Sequence, residues 1–245
     1  MSELEQALAR KQAVRERVWR RLEEEGAARF PGAWGRIPNF AGAAAAAERL
    51  AASPAWREAS VIKANPDAPQ LPVRALALAD GKLLYMAVPR LASSRPFLAL
   101  DPGQVGPPRQ AASIRGAAHR GVFVGLEEMR KVDLVVCGSV AVTRAGARLG
   151  KGGGYSDLEF ALLVEAGRID ARTSLATTVH QLQVLDEELP ETDHDFRVDL
   201  VVTPVETIVG GSGRRPAGIL WEHLDPDKVD EVPVLRELAR ARGWR

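Results

Sequence analysis

Ten residues near the middle of the chain, Arg148-Leu-Gly-Lys-Gly-Gly-Gly-Tyr-Ser-Asp157, gather four glycines, two cations and a carboxylate. Such residues suit anion chemistry. Gly150, Gly152, Gly153 and Gly154 permit tight turns, and their N–H groups can converge on one anion. A helix that begins after Gly154 aims the positive end of its dipole at the same point. Arg148 and Lys151 add positive charge. Asp157 offers oxygen to a divalent cation that bridges phosphates. The expectation is a loop that holds the phosphates of a nucleotide. A flexible turn with a chance Lys and Arg is the plainer alternative, and it leaves the convergence of glycine, cation and carboxylate unexplained. Two named fingerprints do not fit. Gly152 stands where a P-loop needs Ser or Thr after its Lys, and Tyr155 stands where a Rossmann loop needs its third Gly.

The elements that must position this loop follow from hydrophobic spacing. Leu134-Val-Val-Cys137 is a continuous apolar strand, and the glycines follow it. Tyr155 to Glu165 predicts a helix with Leu158, Leu162 and Leu163 inward. Upstream, Glu3 to Glu25 predicts a helix with apolar positions Leu4, Leu8, Val14, Val18 and Leu22. Its opposite face carries Lys11, Arg15, Arg17, Arg20 and Arg21. That face is read as solvated, or as a source of cations for an anionic ligand. Helices are also expected over 40–52, 70–78 and 232–242, with Pro72 tolerated in a first turn. Strands are expected over 60–63, 82–88, 174–179, 198–203 and 207–209. Residues 93–120 are rich in Pro, Gly, Ser and Arg with little periodicity, and read as a long loop. Trp34, Phe40 and Trp56 read as core. Strands that alternate with helices imply an α/β fold with a mostly parallel sheet covered on both faces. No repeat or linker divides the chain, so 1–245 is expected to be a single domain.

Composition narrows the function. The net charge is +1, which argues against a broad nucleic-acid surface. No apolar run approaches the roughly 20 residues that span a bilayer, and Met1 to Gln6 is acidic and polar rather than a signal sequence. The expected compartment is the cytoplasm. The one cysteine, Cys137, reads as a buried inert thiol. His119, His180, His194 and His223 lack metal-ligand spacing, which argues against zinc hydrolysis.

The loop resembles the signature of the 5-formyltetrahydrofolate cyclo-ligases in the pattern Arg148-Leu-Gly-x-Gly-x-Gly-Tyr-x-Asp157. Further matches flank it. Lys11 and Arg15 resemble the basic pair that meets ATP phosphates in that family. Val61-Ile-Lys-Ala-Asn-Pro-Asp-Ala-Pro-Gln70 and Gly81-Lys-Leu-Leu-Tyr-Met-Ala-Val-Pro89 resemble its folate-side strands, and His194-Asp195 its metal-side turn. The resemblance implies a three-layer α/β/α sandwich of the sugar-phosphate isomerase and CoA-transferase class. It implies ATP- and Mg²⁺-dependent cyclisation of a folate. Lys11, Arg15, Gly150, Gly152, Gly153, Gly154, Tyr155 and Asp157 would bind nucleotide, with Arg148 and Lys151 also catalytic. Gln70, Tyr155 and Ser156 would contact the folate, and Asp157 with Asp195 would hold Mg²⁺. Gln70 replaces the family's usual Glu, Ser156 a second Tyr, and Pro204 a Glu. These departures resemble the divergent methenyltetrahydrofolate synthetase domain-containing branch. They keep a nucleotide-binding homologue without turnover open, and more weakly a sugar-phosphate binder.

Overall fold

The computed structural model describes residues 3–211 and 213–244. Met1, Ser2, Ser212, Arg245 and the side chains of Glu3 and Leu4 lie outside the described residues, so the readings that fall on Met1 and Leu4 are not addressed. In chain order the elements are α1 (Glu3–Glu24), α2 (Ala43–Ala51), α3 (Pro54–Glu58), β1 (Val61–Ala64), α4 (Leu71–Ala79), β2 (Leu83–Ala87) and β3 (Phe97–Leu100). There follow α5 (Pro108–Ala111), α6 (Ile114–Arg120), β4 (Val122–Val124), β5 (Leu134–Cys137), β6 (Ala141–Thr143), β7 (Arg148–Leu149) and α7 (Tyr155–Glu165). The chain continues through β8 (Ser174–Thr178), β9 (Val184–Leu185), β10 (Leu200–Val202), β11 (Thr207–Val209), α8 (Pro226–Glu231) and α9 (Pro233–Arg242).

Eight strands form one sheet in the order β11-β10-β8-β5-β1-β2-β3-β4. The five from β10 to β2 are parallel; β11, β3 and β4 join through antiparallel pairing. The pleat sorts side chains into two cores, as period-two alternation requires. Val135 and Cys137 of β5 pack with Leu158 and Leu162 of α7 and Leu235 of α9. Leu134 and Val136 pack on the other face with Leu50 of α2 and with Val73 and Ala77 of α4. The result is the expected three-layer α/β/α sandwich around a mostly parallel sheet.

A second sheet, β7-β6-β9, lies against α1 through Val14, Val18 and Leu22. This hairpin separates the apolar strand β5 from the glycine loop, which therefore does not follow β5 directly. Residues 93–120 are not the expected loop, because β3, α5 and α6 lie within them. Leu8 of α1 is exposed, whereas Lys11 and Arg15 lie on the buried stripe with Val14 and Val18. The solvated-face reading of that pair is corrected. Trp56 and Phe40 are core, but Trp34 is half exposed. Cys137 is buried, and burial raises its thiol pKa. No helix among the described residues is long and apolar enough to cross a membrane.

Candidate functional site

The parallel strands β1, β5 and β8 end on one edge of the sheet, the edge outside which α/β proteins bind ligands. After β1 the chain turns through Asn65 to Gln70. Beyond β7 it forms the glycine loop and enters α7, with Gly154 as left-handed N-cap at φ 69°. Gly152 is also left-handed, at φ 103°, and a Cβ there would stand 3.4 Å from the Arg15 guanidinium. Both positions need glycine.

Ion pairs and hydrogen bonds hold this loop and the segments beside it. Arg148 is buried; its Nη2 donates to Asp157 Oδ1 at 3.0 Å and its guanidinium lies 4.1 Å from the centre of the Phe196 ring. Its Nε is buried without an acceptor. Lys11 Nζ donates to Asp195 Oδ2 at 2.5 Å and to Thr192 Oγ1 at 3.0 Å. Arg15 Nε donates to the Gly150 carbonyl at 2.7 Å. From α1, one helical turn apart on one face, Arg15 thus reaches the glycine loop and Lys11 the turn at Thr192 and Asp195.

The two carboxyls are tuned in opposite directions. Burial pushes Asp157 up and Asp195 adds repulsion; Arg148 opposes both but does not cancel them. Burial also pushes Asp195 up, but the Lys11 hydrogen bond and charge, with the Thr192 N–H and hydroxyl, hold it below the ordinary carboxylate value. Burial lowers the Arg15 pKa, against the pull of Asp195 and Asp157.

The other expected residues are placed less uniformly. Lys151 is half exposed and sits 3.8 Å from Asp67 Oδ1. Gln70 is fully buried; its Nε2 donates to Thr178 Oγ1 at 3.1 Å, and its Oε1 has no partner. The Tyr155 hydroxyl donates to Glu231 at 2.7 Å rather than into the loop. Ser156 Oγ accepts from Asn65 Nδ2 at 2.7 Å. His194 adds an attractive charge contribution at Asp157.

The donor set suits phosphate and Mg²⁺. Arg148 Nε has no acceptor and no side chain caps the α7 N-terminus, so each offers a donor of the kind an oxyanion takes. Among the described residues no cluster of three His, Cys, Asp or Glu could hold a metal ion. Asp157 and Asp195 are close enough to influence each other's ionisation. Two carboxylates suffice for Mg²⁺ when phosphates and water complete its shell.

Lys63 and Asn65 lie in the stretch that resembles the folate-side strand but receive no role of their own from the sequence, and Thr178 and Glu159 escape it as site residues. Lys63 of β1 is 2% exposed, pairs with Glu159 of α7, and donates to Asn65 Oδ1 at 2.6 Å. A lysine inside a buried strand was the available signal, since such a charge requires a partner.

Two clefts of about 670 and 400 Å³ lie away from this edge, beside β10–β11 and beside β6–β9. Convergent buried charge, not hollow volume, marks the site. Gly152→Ala is expected to cost about 1 kcal/mol, the low end for a forced left-handed residue because the loop is exposed and can relax. Thermal unfolding checks this; an unchanged Tm would mean that the left-handed turn is not required.

The sequence profile of the 5-formyltetrahydrofolate cyclo-ligase family matches residues 7–204. A mouse protein named methenyltetrahydrofolate synthase domain-containing protein is 43% identical over 239 residues, covering 93% of this chain and 63% of that protein. The human protein of the same name is 38% identical over 243 residues, covering 95% and 62%. The chain therefore spans about three-fifths of the length of these curated relatives. The solved structure of 5,10-methenyltetrahydrofolate synthetase from Aquifex aeolicus has 21% sequence identity and a TM-score of 0.53, covering 83% of this chain and 94% of that one. This likeness supports the fold.

Proposed function

The chain belongs to the 5-formyltetrahydrofolate cyclo-ligase family, and from that premise we propose that it uses ATP and Mg²⁺ to cyclise 5-formyltetrahydrofolate. The products would be 5,10-methenyltetrahydrofolate, ADP and phosphate. The formyl oxygen takes the γ-phosphoryl group, N10 attacks the activated carbon, and phosphate departs as N10 loses its proton. The chain's task is to position reactants and neutralise charge. The observation that carries this reading is the buried Arg148, whose Nε lacks an acceptor beside a glycine loop that opens a helix.

Arg148 and the amides of Gly152 to Gly154 would hold phosphate oxygens. Lys11 and Arg15 would add charge from α1, and Lys151, exposed at the rim, would follow the transferred group. Asp157 and Asp195 would hold Mg²⁺, which neutralises phosphate charge when bound. Lys11, already paired with Asp195, would add its positive charge beside the metal and the phosphates. On the folate side, the unpartnered Gln70 Oε1 would accept from a ligand N–H, with its amide oriented by Thr178.

Mixing the protein with ATP, Mg²⁺ and 5-formyltetrahydrofolate should raise the absorbance of 5,10-methenyltetrahydrofolate. Lys151→Ala should lower the rate at least tenfold with the Tm unchanged, because Lys151 is exposed. No rise from a protein that still binds ATP would favour the second reading, a nucleotide-binding homologue without turnover. Gln70 and Ser156 favour that reading, because neither supplies the charge or aromatic surface usual at its position.

A further inference from the structure

Residues 219–242 lie beyond the stretch matched by the family profile, yet they grip α7 at both ends. At its far end, Glu165 accepts from the Ile219 N–H at 3.2 Å and pairs with Arg242. Trp221, Val229, Val232 and Leu235 share the α7-side core. At its near end, the grip falls on the first residue after the glycine loop. Glu231 accepts from the Tyr155 hydroxyl at 2.7 Å, and Lys228 Nζ lies 3.8 Å from the centre of the Tyr155 ring. Lys228 and Glu231 are themselves paired at 3.1 Å, so the acceptor and the ring-capping cation support each other. The Tyr155 ring in turn bounds the loop: a Cβ on Gly153 would stand 3.2 Å from its edge. Arg90 acts electrostatically on Glu231 from the turn after β2, where Arg90 and Leu91 both hold left-handed φ.

A tyrosine that flanks a phosphate loop has two ways to spend its hydroxyl, on a ligand or on the protein. Here the protein holds it, and a fixed ring limits the conformations open to the glycines beside it. We propose that Glu231 and Lys228 are positioning residues that fix Tyr155 and thereby hold the loop over Gly150–Tyr155 in its anion-receiving shape. The effect on nucleotide affinity rests on the proposed ATP site; the effect on loop order does not.

Hydrogen exchange of the ligand-free protein tests the proposal directly. Glu231→Ala removes the acceptor and the partner of Lys228, and should speed exchange of the amides of residues 150–156 about tenfold. Glu231→Gln keeps an acceptor oxygen and should restore most of the protection. Lys228→Met should give a smaller rise. The Kd for ATP should increase by the same factor as the loop exchange, in the same order of variants. Unchanged loop exchange in Glu231→Ala would overturn the proposal. So would an equal rise throughout α7 and the sheet, which would make the contact a general brace. If wild-type protein binds no ATP while loop exchange still responds to Glu231→Ala, the nucleotide reading fails and the positioning role stands.

Discussion

Arg148→Met should lower stability by about 3 kcal/mol and abolish detectable ATP binding. The Arg148 side chain is 1% exposed and is the nearest cation to Asp157, whose side chain retains 21% exposure. Removing the guanidinium leaves Asp157 largely desolvated beside Asp195, with the more distant charges of Lys11, Arg15 and His194 opposing the repulsion. The residual exposure sets the cost at the lower edge of the range for a broken buried pair. For a domain of this size the loss corresponds to roughly 6–12 °C in Tm. Methionine keeps contact with the Phe196 ring, which isolates the effect of charge. Arg148→Met combined with Asp157→Asn should recover at least half of the stability and none of the binding. A single variant that loses less than about 1 kcal/mol would mean that Asp157 finds water or another cation, and the pair would then be no buried pair.

The same variant carries a pH signature. The Asp157 pKa is raised in the folded state, so between its unfolded value near 3.9 and the folded value the native protein binds more protons than the unfolded chain. Stability from this group therefore rises as pH falls through that window. Asp195 behaves oppositely: its folded pKa is depressed, so its contribution is present above about 3.9 and is lost as pH falls through the folded value. Without Arg148 the Asp157 pKa moves further up. The stability deficit of Arg148→Met should accordingly narrow as pH is lowered in urea denaturation. A deficit that stays constant or widens would show that protonation of Asp157 does not relieve the loss of Arg148.

Much of this arrangement is legible where the signal is local and long. α7 spans Tyr155–Glu165 as its leucine spacing requires, and β5 is the apolar run that composition marks. Signals fail where elements are short. β6, β7 and β9 have two or three residues each, too few for a period of two to show. Within 93–120, β3 is four residues framed by Pro-bearing turns, and α6 is a helix of seven residues that starts at the Ser113 cap and holds one large apolar residue, Ile114. One large apolar residue sets no period, so the segment resembles loop. Lys11 and Arg15 fail differently. Types and spacing place them with the charged face of α1, and only Asp195, 184 positions away, and the Gly150 carbonyl explain their burial. The candidate site is legible as a set of residues; its pairings are not, because Thr192, Asp195 and Gly150, which hold those cations in place, are distant in sequence.

The pair that sequence spacing conceals most completely should have the largest effect on the fold. Lys63→Met is expected to cost about 3–5 kcal/mol, since it leaves Glu159 charged with no other direct cation in a nearly dry interior. The side chains of Lys63 and Glu159 are 3% and 8% exposed, so water relieves neither. The loss should also reach the loop. Lys63 donates to Asn65, Asn65 donates to Ser156, and Ser156 lies between Tyr155 and Asp157 in the first turn of α7. Releasing Asn65 would loosen the first turn of α7, where the proposed anion site lies. Glu159→Leu alone should be comparably harmful, because it strands the ammonium. Lys63→Met with Glu159→Leu removes both charges and should restore most of the stability, as apolar replacement of a buried ion pair often does. Urea denaturation of the two single variants and the double closes the cycle, and a double variant no more stable than either single would overturn the pairing. If the double regains its stability but still binds ATP weakly, the cost lies in the released Asn65–Ser156 contact. The ion pair would then serve the geometry of the loop more than the stability of the fold, which explains why a charge is kept in the middle of a buried strand.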